Sequence, residues 1–250
     1  MVRPRVRIRY RKELDLRFLG HHDLLRTWER LLRRADVRPA QTEGFHKRAR
    51  LSFPSALAVG VCGLDEVIEL ELEADREPAD LAAALDARAP AGLSIVSVER
   101  MPVGARFSQP RAAEYDIRVP ADRHSAVRAR MERWREAAAT EISVASDAPA
   151  RESTSAAAPS TVESSTDASL SDAPADETPP VVAATVERPC PERLPATVQG
   201  LDLIDGVLRM RLKLGEAGAV RPRELLAWLG LSDLETTGSL LARTRVEVSG

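Results

Sequence analysis

The sequence predicts an α+β protein made of two tandem ferredoxin-like domains, each with the element order βαββαβ. Three observations lead to this prediction. Short segments that alternate apolar and polar residues indicate half-buried strands, and longer segments with apolar residues every three or four positions indicate amphipathic helices. These segments follow one another in the same order twice along the 250 residues. A long segment poor in large apolar residues interrupts the second repeat, and we predict that this insert is disordered.

The first repeat covers residues 1–103 and contains the clearest strand signal in the chain. The segment EVIELELE, residues 66–73, alternates apolar residues with acids, as a strand with one buried face does. The segment VRIRY near the N-terminus alternates in the same way, but its polar positions are arginines. The remaining elements are strands at 49–53 and 93–101 and helices at 22–35 and 77–89.

The second repeat is predicted over residues 104–142 and 196–250. Its elements are, in order, a strand at 114–119, a helix at 120–139, a hairpin at 198–214, a helix at 221–231 and a strand at 243–249. Asp205 and Gly206 lie at the tip of the hairpin, where a two-residue turn needs positive φ angles.

The predicted disordered insert covers residues 143–195. It is rich in Ser, Thr, Ala, Pro and acids, so packing cannot offset the chain entropy that ordering would cost. Charge is also divided along the chain, because residues 1–50 carry fifteen Lys or Arg against six Asp or Glu, whereas residues 137–195 carry three against ten. A basic N-terminal region can attract a polyanion even though the net charge of the chain is only -2.

The composition excludes several classes of protein. Cys62 and Cys190 share no short spacing, so they indicate neither a zinc knuckle nor a disulfide framework, and this suits a reducing cytoplasm. The N-terminus lacks the apolar segment of a secretory signal, and no run of about 18 apolar residues could span a membrane. Walker and glycine-rich dinucleotide motifs are absent from the sequence. We therefore expect a cytoplasmic protein without a cofactor, a metal or a membrane contact.

The segment FLGHHDLLRTWERLLRRADV is predicted to begin a helix beside two histidines and an aspartate. On a helical wheel its leucines and Trp28 form one stripe, and Arg26, Arg30 and Arg33 lie roughly on the opposite face. Asp23 falls in the first turn, where a carboxylate interacts favourably with the helix dipole. The helix is therefore expected to bury its apolar stripe and to present arginines to solvent.

His21 and Asp23 are the candidate catalytic residues, and three interpretations of them stay open. The structural interpretation places His21 at the helix start, partly buried and hydrogen-bonded to a backbone group or to Asp23. Acid–base catalysis has suitable chemistry in a neighbouring histidine and carboxylate, although no nucleophile motif accompanies them. Metal binding fits poorly, because adjacent histidines on a helix diverge by about 100°.

The loop QTEGFHKRARLSF follows that helix and combines a glycine, an aromatic residue and several cations. Such a loop can contact phosphates and stack on a base, although an ordinary solvated surface loop can have the same composition. Lys47, Arg48 and Arg50 are expected to be the principal phosphate contacts. Together with the arginines of the helix, the loop gives the predicted nucleic-acid-binding set: Arg26, Arg30, Arg33, Phe45, His46, Lys47, Arg48 and Arg50.

These two segments, and SALAVGVCGLDE after them, resemble the radical-SAM-linked domain of unknown function, a bacterial family encoded beside radical SAM enzymes or fused to them. The matching residues are His21, Asp23, Leu24, Gly44, Phe45, His46, Gly60 and Val61. Gly20 and Lys47 depart from the family pattern, which has serine and proline there. The likeness covers about 1–135 and 197–250. Because that family is linked to radical SAM enzymes, the resemblance implies such an enzyme as partner. The chain is not expected to be a radical SAM enzyme itself, because it has no three-cysteine cluster.

The charge pattern and the resemblance together predict a non-catalytic accessory module that binds RNA, such as a tRNA, for a partner radical SAM enzyme. Two alternatives of other classes stay open. One is a protein–protein adaptor, and the other is a metal-independent ribonuclease or transferase that uses His21 and Asp23.

Overall fold

The structure, a computed structural model, describes residues 3–43, 47–146, 193–215 and 218–249. Two predictions concern residues outside these ranges. Phe45 and His46 of the predicted nucleic-acid-binding set lie outside them, and so do residues 147–192 of the predicted insert.

The segments with alternating polarity form strands, and those with helical periodicity form helices, so the predicted α+β class is confirmed. The strands are β1 (Arg5–Lys12), β2 (Leu51–Ser52), β3 (Cys62–Glu71), β4 (Leu93–Arg100), β5 (Pro110–Arg118), β6 (Val198–Ile204), β7 (Val207–Lys213) and β8 (Ala242–Val248). The α-helices are α1 (His21–Arg34), α2 (Pro78–Asp86), α3 (His124–Ser146), α4 (Arg193–Thr197) and α5 (Pro222–Trp228). Short 3₁₀ helices at Leu14–Phe18 and Ala121–Arg123 precede α1 and α3.

The eight strands join one mixed sheet in the order β4-β1-β3-β8-β5-β7-β6, and the two-residue β2 also pairs with β3. Strands β3 and β8 run parallel, with Cys62 beside Ala242 and Gly63 beside Arg243. The other pairs are antiparallel. The N-terminal half of the chain contributes β1 to β4 and the C-terminal half contributes β5 to β8. The two halves therefore share a single sheet, and the β3–β8 pairing is the junction between them.

Each half of the sheet has its own hydrophobic core. In the N-terminal half the predicted stripe of α1 is buried, and Trp28 packs edge-on against Tyr10 of β1 with ring centroids 5.0 Å apart. In the C-terminal half α3 also buries an apolar stripe, which consists of Val127, Met131 and Trp134. Within the described ranges, no helix combines the length and the apolar character needed to cross a bilayer.

The predicted hairpin turn is confirmed at the residues that the sequence indicates. Asp205 and Gly206 join β6 to β7 with φ angles of 50° and 75°. Glycine adopts such angles without a steric penalty, and aspartate is one of the few other residues that tolerate them. The register of this part of the sheet is thus set locally.

The helices that flank the insert extend further than predicted. Helix α3 continues to Ser146, past the predicted domain limit at residue 142, and α4 already begins at Arg193. Leu194 of α4 is buried in the C-terminal core. The first and last few residues of the predicted insert are therefore helical, and residues 147–192 are the part outside the described ranges.

Candidate functional site

Three of the four arginines of β1 are neutralised by acids of the neighbouring strand. On the sheet face without helices, N–O distances of 3.3, 3.0 and 2.6 Å define the pairs Arg5–Glu71, Arg7–Glu69 and Arg9–Asp65. Glu69 is fully buried, and it also accepts a hydrogen bond from the backbone N–H of Ser108 at 2.9 Å. These arginines are already paired, so they are poor candidates for binding a polyanion.

Helix α1 presents its arginines to solvent, as the helical wheel predicts. Arg26, Arg30 and Arg33 are all exposed. Arg26 lies 3.4 Å from the Asp23 carboxylate, and Arg30 donates to the Thr27 hydroxyl at 3.3 Å. Arg33 has no ion pair with any described residue. The positive charge on this face is therefore only partly compensated.

The loop after α1 folds back as a short hairpin. A β-bridge joins Gln41 to Ala49, and the backbone N–H of Thr42 donates to the Arg48 carbonyl at 2.8 Å. Lys47 and Arg48 are exposed, and neither forms an ion pair within the part of the chain that the structure describes. Arg50 differs, because its guanidinium pairs with Glu71 at 3.1 Å. Two of the three predicted loop cations thus have no ion pair in the described ranges.

The structure brings this hairpin next to the end of α1. A groove of about 470 Å³ separates them, with Arg33 and Arg38 on one wall and Gln41 and Ala49 on the other. The groove is not purely basic, since three carboxylates also line it: Glu29, Asp36 and Glu73. Arg33 is the one residue of the predicted nucleic-acid-binding set that lines this groove among the described residues. We call the exposed cations of α1 and the neighbouring hairpin the basic surface: Arg26, Arg30, Arg33, Lys47 and Arg48.

His21 does not take the partly buried, hydrogen-bonded position that we expected. It is the first residue of α1, its side chain is exposed, and its ring makes edge contacts with Phe53 and His22 at centroid distances of 5.4 and 5.9 Å. Asp23 is paired with Arg26 instead. The expectation is wrong because Gly20 is extended and the helix begins at His21 itself, which leaves the ring at the rim of the fold.

The junction contains a buried ionic cluster that the sequence analysis did not predict. Arg243 of β8 and Glu66 of β3 are almost fully buried, and the arginine Nε donates to Glu66 Oε1 at 2.7 Å while Nη2 contacts Oε2. The remaining N–H groups of Arg243 donate to the Ser55 hydroxyl at 2.9 Å, the Ser55 carbonyl at 3.2 Å and the Ala56 carbonyl at 3.2 Å. Every donor of this guanidinium is therefore used within the protein.

Lys12 of β1 is the third member of this junction cluster, which comprises Lys12, Glu66 and Arg243. Its ammonium group is buried and donates to the carbonyls of Leu19 at 2.9 Å and Arg17 at 3.4 Å. Burial lowers the pKa of Lys12, against the opposing attraction of Glu66. Lys12 thus ties the turn before α1 to the sheet.

The sequence did contain a signal for this cluster. Val6, Ile8 and Tyr10 occupy the buried positions of β1, and Lys12 continues the same alternation. Glu66 likewise shares its side of β3 with apolar residues. A charged side chain at a buried position of a strand needs an oppositely charged or hydrogen-bonding partner, but the alternation alone does not identify which residue that is.

A comparison of the sequence with known families agrees with the expected resemblance to a bacterial domain of unknown function. A family model described as "Uncharacterized protein conserved in bacteria (DUF2344)" matches residues 5–170 of the 250. No protein with a curated description matches the chain. The matched segment contains α1, the hairpin after it, and two of the three residues of the junction cluster, Lys12 and Glu66. The chain therefore belongs to this family of conserved bacterial proteins, DUF2344.

Proposed function

We propose that the protein is a non-catalytic accessory module that binds structured RNA, such as a tRNA, through the basic surface. The observation that carries this proposal is a contrast between two sets of cations. Three of the four arginines of β1 pair with acids of β3, whereas Arg33, Lys47 and Arg48 are exposed without an ion pair to any described residue. Unpaired cations on a helix and a neighbouring hairpin are typical phosphate contacts.

A contact through phosphates fits the molecule better than base stacking on the sheet. Single-stranded RNA is usually read by aromatic side chains on an open sheet. Here the corresponding positions of β5 and β7 carry ion pairs, among them Arg209–Asp116 at 3.2 Å and Arg211–Glu114 at 3.3 Å. A folded RNA held by its backbone is therefore the substrate class that we propose. Phe45 and His46 remain predicted contacts of the same hairpin.

We also propose that each half is a ferredoxin-like unit and that the partner is a radical SAM enzyme. The first of these is supported by the strand order, because β1 lies between β3 and β4 and β5 lies between β7 and β8. The second rests on the sequence resemblance. The enzyme alternative receives less support, because Asp23 is paired with Arg26 and His21 has no carboxylate partner among the described residues.

The RNA proposal is tested by fluorescence-anisotropy titration of a labelled tRNA at several salt concentrations. The triple variant Arg33→Ala/Lys47→Ala/Arg48→Ala is expected to bind more weakly and to have a flatter salt dependence, by roughly one unit of log–log slope per lost phosphate contact. The matched control is Arg118→Ala/Arg128→Ala/Arg245→Ala, which removes three exposed cations elsewhere.

The outcomes separate the alternatives. An equal loss of affinity in the control would mean that binding follows net charge and that the basic surface is not the site. A wild-type protein without RNA affinity at low salt would refute the RNA proposal and leave the protein–protein adaptor in its place.

A further inference from the structure

We propose that a cavity at the junction of the two halves binds a small organic anion with an apolar body, such as an aromatic or aliphatic carboxylate or sulfonate. The cavity has a volume of about 610 Å³. It lies between residues 55–58 of the N-terminal half and residues 214–215 and 219–224 of the C-terminal half, above Tyr115 and Arg243 of the sheet. This site is separate from the basic surface and does not depend on the RNA proposal.

The size and the walls of the cavity suit a small molecule. Sites for small ligands usually have volumes of about 300–1,000 Å³ and mostly apolar walls. Here the apolar wall residues are Leu57, Val61, Leu212, Leu214, Val220 and Leu241. They come from both halves of the chain but belong to, or pack against, one core, that of the C-terminal half, so a ligand seated among them would extend that core.

Two polar groups of the cavity, the Ser55 hydroxyl and the Arg221 guanidinium, can donate a hydrogen bond to a ligand. Arg243 has no donor left for a ligand, because its five hydrogen bonds go to Glu66, Ser55 and Ala56. The Ser55 hydroxyl accepts one of these bonds, which leaves its own O–H free to donate into the cavity. A ligand therefore has to present an acceptor at this point.

The mouth of the cavity provides a cation. Arg221 lines it, is exposed and forms no ion pair with a described residue. The neighbouring Arg223 is already paired with Glu235 at 2.7 Å. Glu224 also lines the mouth, but its carboxylate accepts the backbone N–H of Arg221 at 3.3 Å. An apolar enclosure with a hydroxyl donor and a free guanidinium selects an apolar body with an anionic group.

The experiment uses the full chain and the probe 8-anilino-1-naphthalenesulfonate, whose fluorescence increases in apolar surroundings. Saturable binding of one probe per chain is expected. Ala219→Phe, which fills the cavity, should abolish this binding, whereas Ala121→Phe at an exposed position should not change it. Arg221→Gln should weaken it by about tenfold through loss of one charge-assisted contact, and Arg118→Gln serves as its control.

Competition on the wild-type protein tests the charge preference without any variant. Decanoate is expected to displace the probe at about one tenth of the concentration that decanol requires. Equal displacement by both, or an unchanged affinity of Arg221→Gln, would overturn the assignment of an anionic ligand. Probe binding that persists in a correctly folded Ala219→Phe variant, or no saturable binding in the wild type, would overturn the site itself.

Discussion

At the scale of single residues, the junction cluster determines how the protein tolerates substitution. Glu66 and Arg243 have side-chain exposures of only 3% and 2%, so each would be an unpaired buried charge without the other. Replacing both partners by apolar residues of similar size is far less damaging than removing one, because the double replacement leaves no charge to desolvate. Each residue of the pair therefore needs the other, whatever net stability the pair contributes.

We predict that Arg243→Met lowers the free energy of unfolding by about 3–5 kcal/mol. The double variant Glu66→Leu/Arg243→Met should lose less than the sum of the two single variants. Urea denaturation measures all three. Arg123→Met is the control, because it breaks an exposed pair with Asp233 and should have a much smaller effect. A loss for Arg243→Met no larger than for the control would show that the buried charge is solvated in another way.

The buried position of Lys12 predicts the direction in which its contribution to the free energy of unfolding changes with pH. Burial, the largest cause, lowers its pKa below the ordinary value of 10.5, while Glu66 opposes the shift. Between the lowered pKa and 10.5 the unfolded chain binds more protons than the folded one, so the contribution of Lys12 to the free energy of unfolding increases with pH. Below that interval both states are protonated and the contribution is constant.

The measurement is the difference in free energy of unfolding between wild type and Lys12→Met, from urea titrations at a series of pH values up to 10.5. The difference should shift in favour of the wild type as the pH increases. Tyr10, whose pKa is raised chiefly by burial, is present in both proteins and largely cancels in the difference. A difference that stays flat or falls with pH would contradict the buried position of the Lys12 ammonium.

At the scale of elements, β3 depends on a glycine at the point where the two halves meet. A Cβ atom added to Gly63 would lie 2.4 Å from Glu66 Cγ, whereas one added to Gly200 of β6 would lie 3.5 Å from its nearest neighbour. Both glycines are in strands, and neither has a positive φ angle. The space beside Gly63 is thus reserved for the Glu66 side chain.

We predict that Gly63→Ala destabilises the protein by about 1–3 kcal/mol, as overpacking of a core does. Gly200→Ala should be nearly neutral, since an added methyl group there meets only ordinary van der Waals contacts. Thermal unfolding followed by circular dichroism compares the two variants directly. Equal melting temperatures would mean that Glu66 moves aside without cost.

Short-range sequence patterns predict the strands and turns of this protein well, but they predict poorly which residues of distant elements contact each other. Alternation indicates β1 and β3, and the Asp-Gly pair indicates the turn at Asp205, because these signals lie within a few residues. The arginines of β1 and the acids of β3 were both visible, and their complementarity was a usable signal for pairing. The sequence contains no comparable signal for the contact between Glu66 and Arg243. The two residues are 177 positions apart, and neither segment has a pattern that identifies the other.

At the scale of the whole molecule, the shared sheet couples two cores that the sequence presents as separate domains. Trp28 lies in the N-terminal core, and Trp134 and Trp228 lie in the C-terminal core. The junction cluster and the β3–β8 pairing are among the contacts that connect them. Tryptophan fluorescence can therefore follow each half separately.

We predict a single unfolding midpoint for both halves. Trp28→Phe leaves the C-terminal reporters, and Trp134→Phe/Trp228→Phe leaves the N-terminal one, so in each variant the fluorescence curve in urea should coincide with the circular-dichroism curve of the same protein. Adding Arg243→Met to each should separate the two midpoints, because it removes part of the connection between the halves. A fluorescence midpoint that differs clearly from the circular-dichroism midpoint of the same parent variant would establish two independent folding units.

The position of β8 has a consequence for biosynthesis. Strand β3 is complete once residue 71 has been made, but its parallel neighbour forms only after residue 242. Until then the edge of β3 is covered by β2 at Glu69 and Leu70 but stays unpaired at Cys62 and Gly63, and the Glu66 carboxylate lacks its guanidinium. Such an edge is a template for strands of other molecules. Because pairing at this separation is slow, the ribosome-bound chain is the stage at which the protein is most exposed to aggregation.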